Sequence, residues 1–442
     1  MCRNRRDVMA SAPNPRPRQK PKSSPRAFRS SSSASSAAAA VPTASSSAAT
    51  NSTTSDLTAL FSTSSSSTSL AGLSLSIRDK GPILYSFAEI LAATNSFLSP
   101  SLSSSSSAWR CSLRGADAAV VCRPFRDDPA ALPAHLAALY RSHHVAVARL
   151  LGASLAGDHI YLVYEYVPGA TLADCLRNPR NPSFSPLPSW LSRVQVAADL
   201  AQGLEYIHHY SAGTSQQSPA PPERGRFRGT VHDRIKSSAV IVTEHGFRAK
   251  ICHFGAAELA GDVSVDAVET NAWEIESASP RRRSETRATR IEGKRGYIAP
   301  EVIAGGRISR RSDVFAFGVV LLELLSGEEP VRYRYDRESG GLEVFSIIEA
   351  ARRAIEAAEK EEKEERYRRV RGWVDRRLRD SFPVEAAEKL IRVALRCVEA
   401  EAGKRPDMIW VAGKLSKQLI EAEAWEEKVR IPADFSVSLA PR

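Results

Sequence analysis

Apolar positions first acquire a period near Ile83. Leu84, Phe87, Ile90 and Leu91 recur at helical spacing and predict a helix within residues 84–97. Residues 109–125 read as strands, broken at Arg114-Gly115-Ala116-Asp117 by a hairpin turn. A helix is predicted over 130–140, and then a strand over Ile160-Tyr161-Leu162-Val163-Tyr164. From Leu172 onward the pattern is mostly helical. Residues 190–209 are amphipathic, and 314–325 are apolar nearly all round, the mark of a buried helix. Residues 343–371 read as one helix ending in the charged run 359–366, a solvated face. Two passages interrupt the pattern and read as loops: 211–228, rich in Ser, Pro, Gly and Arg, and the long stretch between His253 and Glu301.

Residues 1–78 have a different character. Ser, Ala, Pro and Thr dominate and large apolar residues are few, so burial cannot offset chain entropy and a disordered tail is expected. Between Met1 and Ser30 lie nine Lys or Arg and one acid, Asp7, so this tail carries +8 of the net +11. The remainder is only mildly basic, which argues against a nucleic-acid surface. Cys2 beside Arg3, Arg5 and Arg6 suits S-acylation at an anionic membrane face; the same start also fits a transit peptide, and a plain solvated tail needs neither.

The six cysteines, at 2, 111, 122, 175, 252 and 397, form no C-x-x-C pair. They point to reduced thiols in an intracellular protein rather than a disulfide framework or a zinc site. No apolar run approaches the roughly eighteen residues of a membrane span. At 442 residues and 43% hydrophobic content, the chain can hold one large or two ordinary domains.

Several ordered motifs then narrow the reading. Leu162-Val-Tyr-Glu-Tyr166, Val231-His-Asp-Arg-Ile-Lys-Ser-Ser-Ala239, Gly293-Lys-Arg-Gly-Tyr-Ile-Ala-Pro-Glu301, the stretch 309–327 with Ser312-Asp313-Val314, and Cys397 with Arg405-Pro-Asp-Met408 follow one another. In this order they resemble the hinge, catalytic loop and large-lobe motifs of plant receptor-like protein kinases. The resemblance implies an α+β, bilobal protein-kinase-like fold over 79–424. Its small β-rich lobe would span about 83–165 and its large helical lobe about 169–424, with a short tail at 425–442. It also implies bracing duties. Glu301 would pair with Arg405, Asp313 would bind the catalytic-loop backbone, and His232, Lys236, Phe254 and Gly255 occupy the family's structural positions.

The chemistry is another matter. Phosphoryl transfer needs a phosphate cradle, a cation holding the phosphates, metal ligands and a carboxylate beside the attacking hydroxyl. The glycine-loop position, 98–108, holds no glycine and reads as a floppy serine loop. The strand lysine falls on Arg123, or on Cys122 if the hairpin is counted differently, and no lysine occurs between Lys80 and Lys236. Its helical Glu partner maps to His135. The base position holds Arg234, which cannot accept a proton near neutrality; the neighbouring Asp233 could serve only after a register shift. Ala239 and His253 replace the metal ligands, and a His nitrogen suits Mg²⁺ poorly. Val121 stands for the family's alanine above the adenine. Tyr164 as gatekeeper and Glu165 and Tyr166 in the hinge would line a nucleotide site if one forms.

The resulting expectation is a catalytically inactive pseudokinase that acts as a scaffold or allosteric partner of active receptor-like kinases or their substrates. No cofactor is expected, ATP only weakly, Mg²⁺ not at all. The alternatives are a weak or atypical Ser/Thr kinase using Asp233, and a switch that binds nucleotide without metal. The implied location is cytoplasmic, at the plasma membrane if Cys2 is acylated, with a plastid as the lesser reading. The Ser279-Pro-Arg-Arg-Arg-Ser284 patch would suit modification by another kinase.

Overall fold

Local capping sets where the first helix begins. After β1 (Ile83–Leu84), the Ser86 hydroxyl accepts from the Glu89 amide at 3.2 Å while the Glu89 carboxylate accepts from the Ser86 amide at 2.7 Å. This reciprocal cap starts helix α1 (Phe87–Ala93). In this computed structural model the described residues are 81–103, 106–178, 180, 187–211, 230–244, 246–262, 296–335, 342–356 and 363–429. They belong to a unit spanning Ser74–Arg442. The basic tail with Cys2, the loop at 212–228, the 279–284 patch and residues 430–442 lie outside the described residues.

The serine stretch expected to be a loop is instead partly a strand. Ser101–Ser103 forms β2 and pairs antiparallel with β3 (Ser106–Leu113), Ser101 opposite Trp109 and Ser103 opposite Ser106. The ladder uses backbone groups that every residue carries, so glycine-free serines can join it beside a strong neighbouring strand. Trp109 anchors that neighbour against Phe97, ring centroids 4.8 Å apart. The hairpin turn is shorter than expected. Arg114 and Gly115 alone make it, with φ of 51° and 81°, while Ala116 and Asp117 already belong to β4 (Ala116–Pro124).

Helix α2 (Leu132–Tyr140) leads to β5 (Leu150–Ala156) and β6 (His159–Glu165), completing a six-stranded sheet ordered β1-β5-β6-β4-β3-β2. Strand alternation splits its two faces. Val163, Ala118 and Val120 pack with Ile90 and Tyr85 under α1. Ile160, Leu162 and Tyr164 point the other way, into a core that continues through the helical lobe.

That lobe follows through β7 (Ala170–Thr171), α3 (Leu172–Arg177), α4 (Trp190–His209), β8 (Val240–Val242), β9 (Ala249–Ile251), α5 (Ala256–Leu259), α6 (Pro300–Ile303) and α7 (Arg310–Ser326). Every residue of α7 from Ser312 to Ser326 is buried. Residues 343–371 are not one helix. β10 (Val331–Tyr335) pairs with β11 (Leu342–Ser346), and two helices follow, α8 (Ile347–Ile355) and α9 (Lys363–Trp373). Five backbone pairings hold the first residues in a strand, and Glu356 leaves helical geometry at ψ 118°. Helix α9 is nevertheless a solvated face, burying only Val370. The last helices among the described residues are α10 (Val384–Cys397) and α11 (Met408–Val429).

Candidate functional site

The loop at 231–239 is held from behind by one buried carboxylate. Asp313, in the first turn of α7, accepts from the His232 amide at 2.7 Å and the Asp233 amide at 2.8 Å, and lies 3.0 Å from His208 Nε2. His232 Nδ1 accepts from the Arg234 amide at 3.2 Å, which leaves Nε2 to donate to the Cys252 carbonyl at 2.9 Å. Burial lowers the pKa of this ring, in keeping with the neutral tautomer. A second buried carboxylate ties the loop to the lobe. Glu323 accepts from Arg177 at 2.7 Å, Ser237 at 2.9 Å and Tyr297 at 2.7 Å. Arg405 donates to both oxygens of Glu301 at 2.7 Å, a bidentate pair. Lys236 precedes the tight turn Ser237–Ala239 and its carbonyl accepts from the Ala239 amide at 2.8 Å.

Strand parity separates the two candidates for the lysine position. Arg123 shares the side of β4 on which Val121 meets the inter-lobe core, while Cys122 lies against Tyr161 on the opposite side. The Arg123 guanidinium meets Asp262, just beyond α5. Arg126 reaches the same carboxylate at 2.7 Å and Arg234 at 3.6 Å. His135 is not in this group; its Nδ1 lies 3.6 Å from Asp127. Asp233 has φ 68°, and burial first, then Asp313, push its carboxyl up to about 7 against the pull of Arg234 and Arg123.

At the metal-ligand positions, Ala239 offers only backbone, its carbonyl accepting from the Cys252 amide at 2.9 Å. Burial, then the nearby His232 ring and the charges of Lys236, Arg123 and Arg234, hold His253 neutral down to about pH 3. Among the described residues no three His, Cys, Asp or Glu side chains converge to hold a metal ion. A magnesium-bound nucleotide does not fit this set, because Asp262 is taken up by guanidiniums that would repel the cation.

Tyr164 donates to the Phe254 carbonyl at 2.9 Å, sealing the back of the cleft. Gly255 has φ 75°, and a Cβ there would lie 2.7 Å from Leu139. In the hinge, the Glu165 carboxylate accepts from Lys250 at 2.6 Å and from the Arg149 amide at 3.2 Å. The Arg110 guanidinium lies 4.0 Å over the Tyr166 ring and bonds Asp117 at 2.9 Å. Arg110, Asp117 and Tyr166, with Pro168, Gly169, Thr243 and Glu244, line a groove of about 520 Å³ beside the hinge.

The protein kinase domain model matches residues 126–412. The chain belongs to the protein kinase family. The match starts just beyond Arg123, so the altered glycine-loop and lysine positions lie outside it. Among Arabidopsis thaliana kinases, LysM domain receptor-like kinase 3 is 29% identical over 78% of this chain and 48% of its own length. PTI1-like tyrosine-protein kinase 1 is 32% identical over 63% of this chain and 64% of its own. The chain thus spans about half the length of the receptor-like kinases that it matches.

The pseudokinase domain of BIR2, an immune regulator of the RLK/Pelle family, shares the kinase fold at TM-score 0.52 and 23% identity, over 77% of this chain and 88% of that domain. No helix among the described residues is long and apolar enough to cross a membrane.

Asp262, Arg126 and the Glu323 network were not singled out from sequence. Asp262 meets Arg123 across 139 positions of chain, and no local motif marks it.

Proposed function

We propose that this kinase-fold protein is a pseudokinase that serves active receptor-like kinases, or their substrates, as a scaffold or allosteric partner. The observation that carries this reading is the cluster at Asp262: guanidiniums from Arg123, Arg126 and Arg234 gather where phosphoryl transfer needs a cation and a free carboxylate. Arg234 cannot act as base. Asp233 is half-buried, and its backbone amide donates to the Asp313 carboxylate, which helps to push its own carboxyl up. The bracing groups Asp313, Glu301, Arg405 and Glu323 remain bonded, so the losses fall on chemistry and spare shape. The relatives are receptor-like kinases, and the fold neighbour BIR2 is described as a pseudokinase domain, which makes such a role compatible with this fold.

The reading places the protein in the cytoplasm, with Cys2 and the basic start as its means of membrane attachment. Radiolabelled phosphate transfer in Mg²⁺ and in Mn²⁺ tests the central point. No incorporation above a heat-treated control is expected, whereas turnover that disappears in Asp233→Ala would overturn it.

A further inference from the structure

We propose that Asp262 is a built-in plug for an arginine-lined anion site, so that the docked segment 256–262 and a metal-free polyphosphate compete for the same guanidiniums. The site is assembled from three separate places: β4 supplies Arg123, its connection to α2 supplies Arg126, and the catalytic loop supplies Arg234. Arg123 and Asp262 are 8% and 14% exposed at their side chains, so their contact lies within the cleft.

Backbone geometry, rather than a wandering surface side chain, brings the carboxylate there. The Arg126 amide donates to the Ala260 carbonyl at 2.9 Å, and the Asp262 amide donates to the Ala257 carbonyl at 2.9 Å. Gly261 between them has φ 74°, and a Cβ would lie 2.9 Å from the Asp127 nitrogen and 3.0 Å from the Arg126 carbonyl carbon. Only glycine allows that approach together with that backbone conformation.

Chemistry selects the competitor. A carboxylate presents two oxygens to three guanidiniums. A polyphosphate presents several charged oxygens in geometry that suits bidentate arginine, and it needs no metal where arginines supply the charge. The inference goes beyond the scaffold reading. Phosphate transfer in Mg²⁺ would refute that reading and leave the outcome below untouched.

The test is calorimetric titration of the full chain with inorganic tripolyphosphate in EDTA. Asp262→Asn is expected to bind at least tenfold more tightly than the unaltered chain, and adding Arg234→Gln should remove that gain. Should Asp262→Asn fail to fold, Gly261→Ala, which loosens the dock without altering charge, takes its place and should show the same gain. Equal affinity in variant and unaltered chain, no binding to either, or a gain that survives Arg234→Gln overturns the proposal.

Discussion

Asp233 and His253 face the same cleft with opposite titration behaviour. Asp233 is pushed up to about 7 from an ordinary 3.8, so between those values the native state keeps a proton that the unfolded chain releases. Its contribution to stability is therefore present at low pH and is lost as pH rises towards 7, by roughly 1.4 kcal/mol per unit. His253 is lowered from 6.5 to about 3, so the unfolded chain takes a proton that the native state refuses. Its contribution is lost as pH falls below 6.5. The two slopes oppose each other between about 4 and 6.5.

Asp233→Asn should leave the His253 slope exposed, and the variant should gain stability relative to the unaltered chain as pH rises from 4.5 to 8. Urea midpoints at three pH values measure this, and parallel profiles would count against it. At this scale the identities Arg234, Ala239 and His253 were plain from sequence, because each sits inside a motif. Arg123 against Cys122 was not, since counting through a hairpin of unknown length leaves strand parity open. Asp262 could not be seen at all, since folding alone brings it to its partners.

Among the elements, α7 shows what the resemblance preserved. Gly318 sits where α10 crosses; a Cβ there would lie 2.6 Å from Cys397 Cβ, 2.8 Å from Val398 Cγ1 and 3.0 Å from the Ala394 carbonyl. Alanine in a helix interior is ordinarily favoured over glycine by about 1 kcal/mol. Here overpacking should reverse the sign, and Gly318→Ala should destabilise by about 1–3 kcal/mol in a urea melt. A stabilised variant would mean that α10 can shift freely.

Long periodic helices such as Trp190–His209 were legible to the residue from their apolar pattern alone; in the structure the Ser189 hydroxyl caps this one, accepting from the Ser192 amide at 3.1 Å. The 343–371 stretch was misread because Glu343-Val344-Phe345 suits either period, and its strand state depends on pairing with Val331–Tyr335. The serine strand Ser101–Ser103 was missed for the same reason, since its neighbour rather than its own side chains decides its state.

Across the whole molecule, the two lobes share one core. Ile160, Leu162, Tyr164 and Leu139 from the small lobe belong to the same buried cluster as Trp190, Val320 and Leu415. Polar contacts add to it, Tyr164 to Phe254 and Arg123 to Asp262. The described unit should therefore unfold in one transition, with far-ultraviolet dichroism and tryptophan fluorescence giving coincident denaturation curves. Two separated transitions would show that the lobes fold independently. The bilobal plan was legible because several motifs appear in fixed order; which strand residues join the shared core was not, because that depends on the face each one takes.

The entry strand β1 has a consequence for solubility. Ile83 and Leu84 run parallel to β5, so close that a Cβ on Gly152 would lie 2.0 Å from the Ile83 carbonyl oxygen. They cover an outer edge of the sheet whose amides would otherwise face solvent. A polypeptide trimmed to begin at Ser86 keeps most of both buried clusters and yet offers that edge to any passing strand, including another copy of itself. Its light scattering should rise with concentration more steeply than that of a chain trimmed to Gly81, and matching curves would refute the idea. Two residues at the threshold of the domain would then act less as mortar than as a cover on a sticky seam.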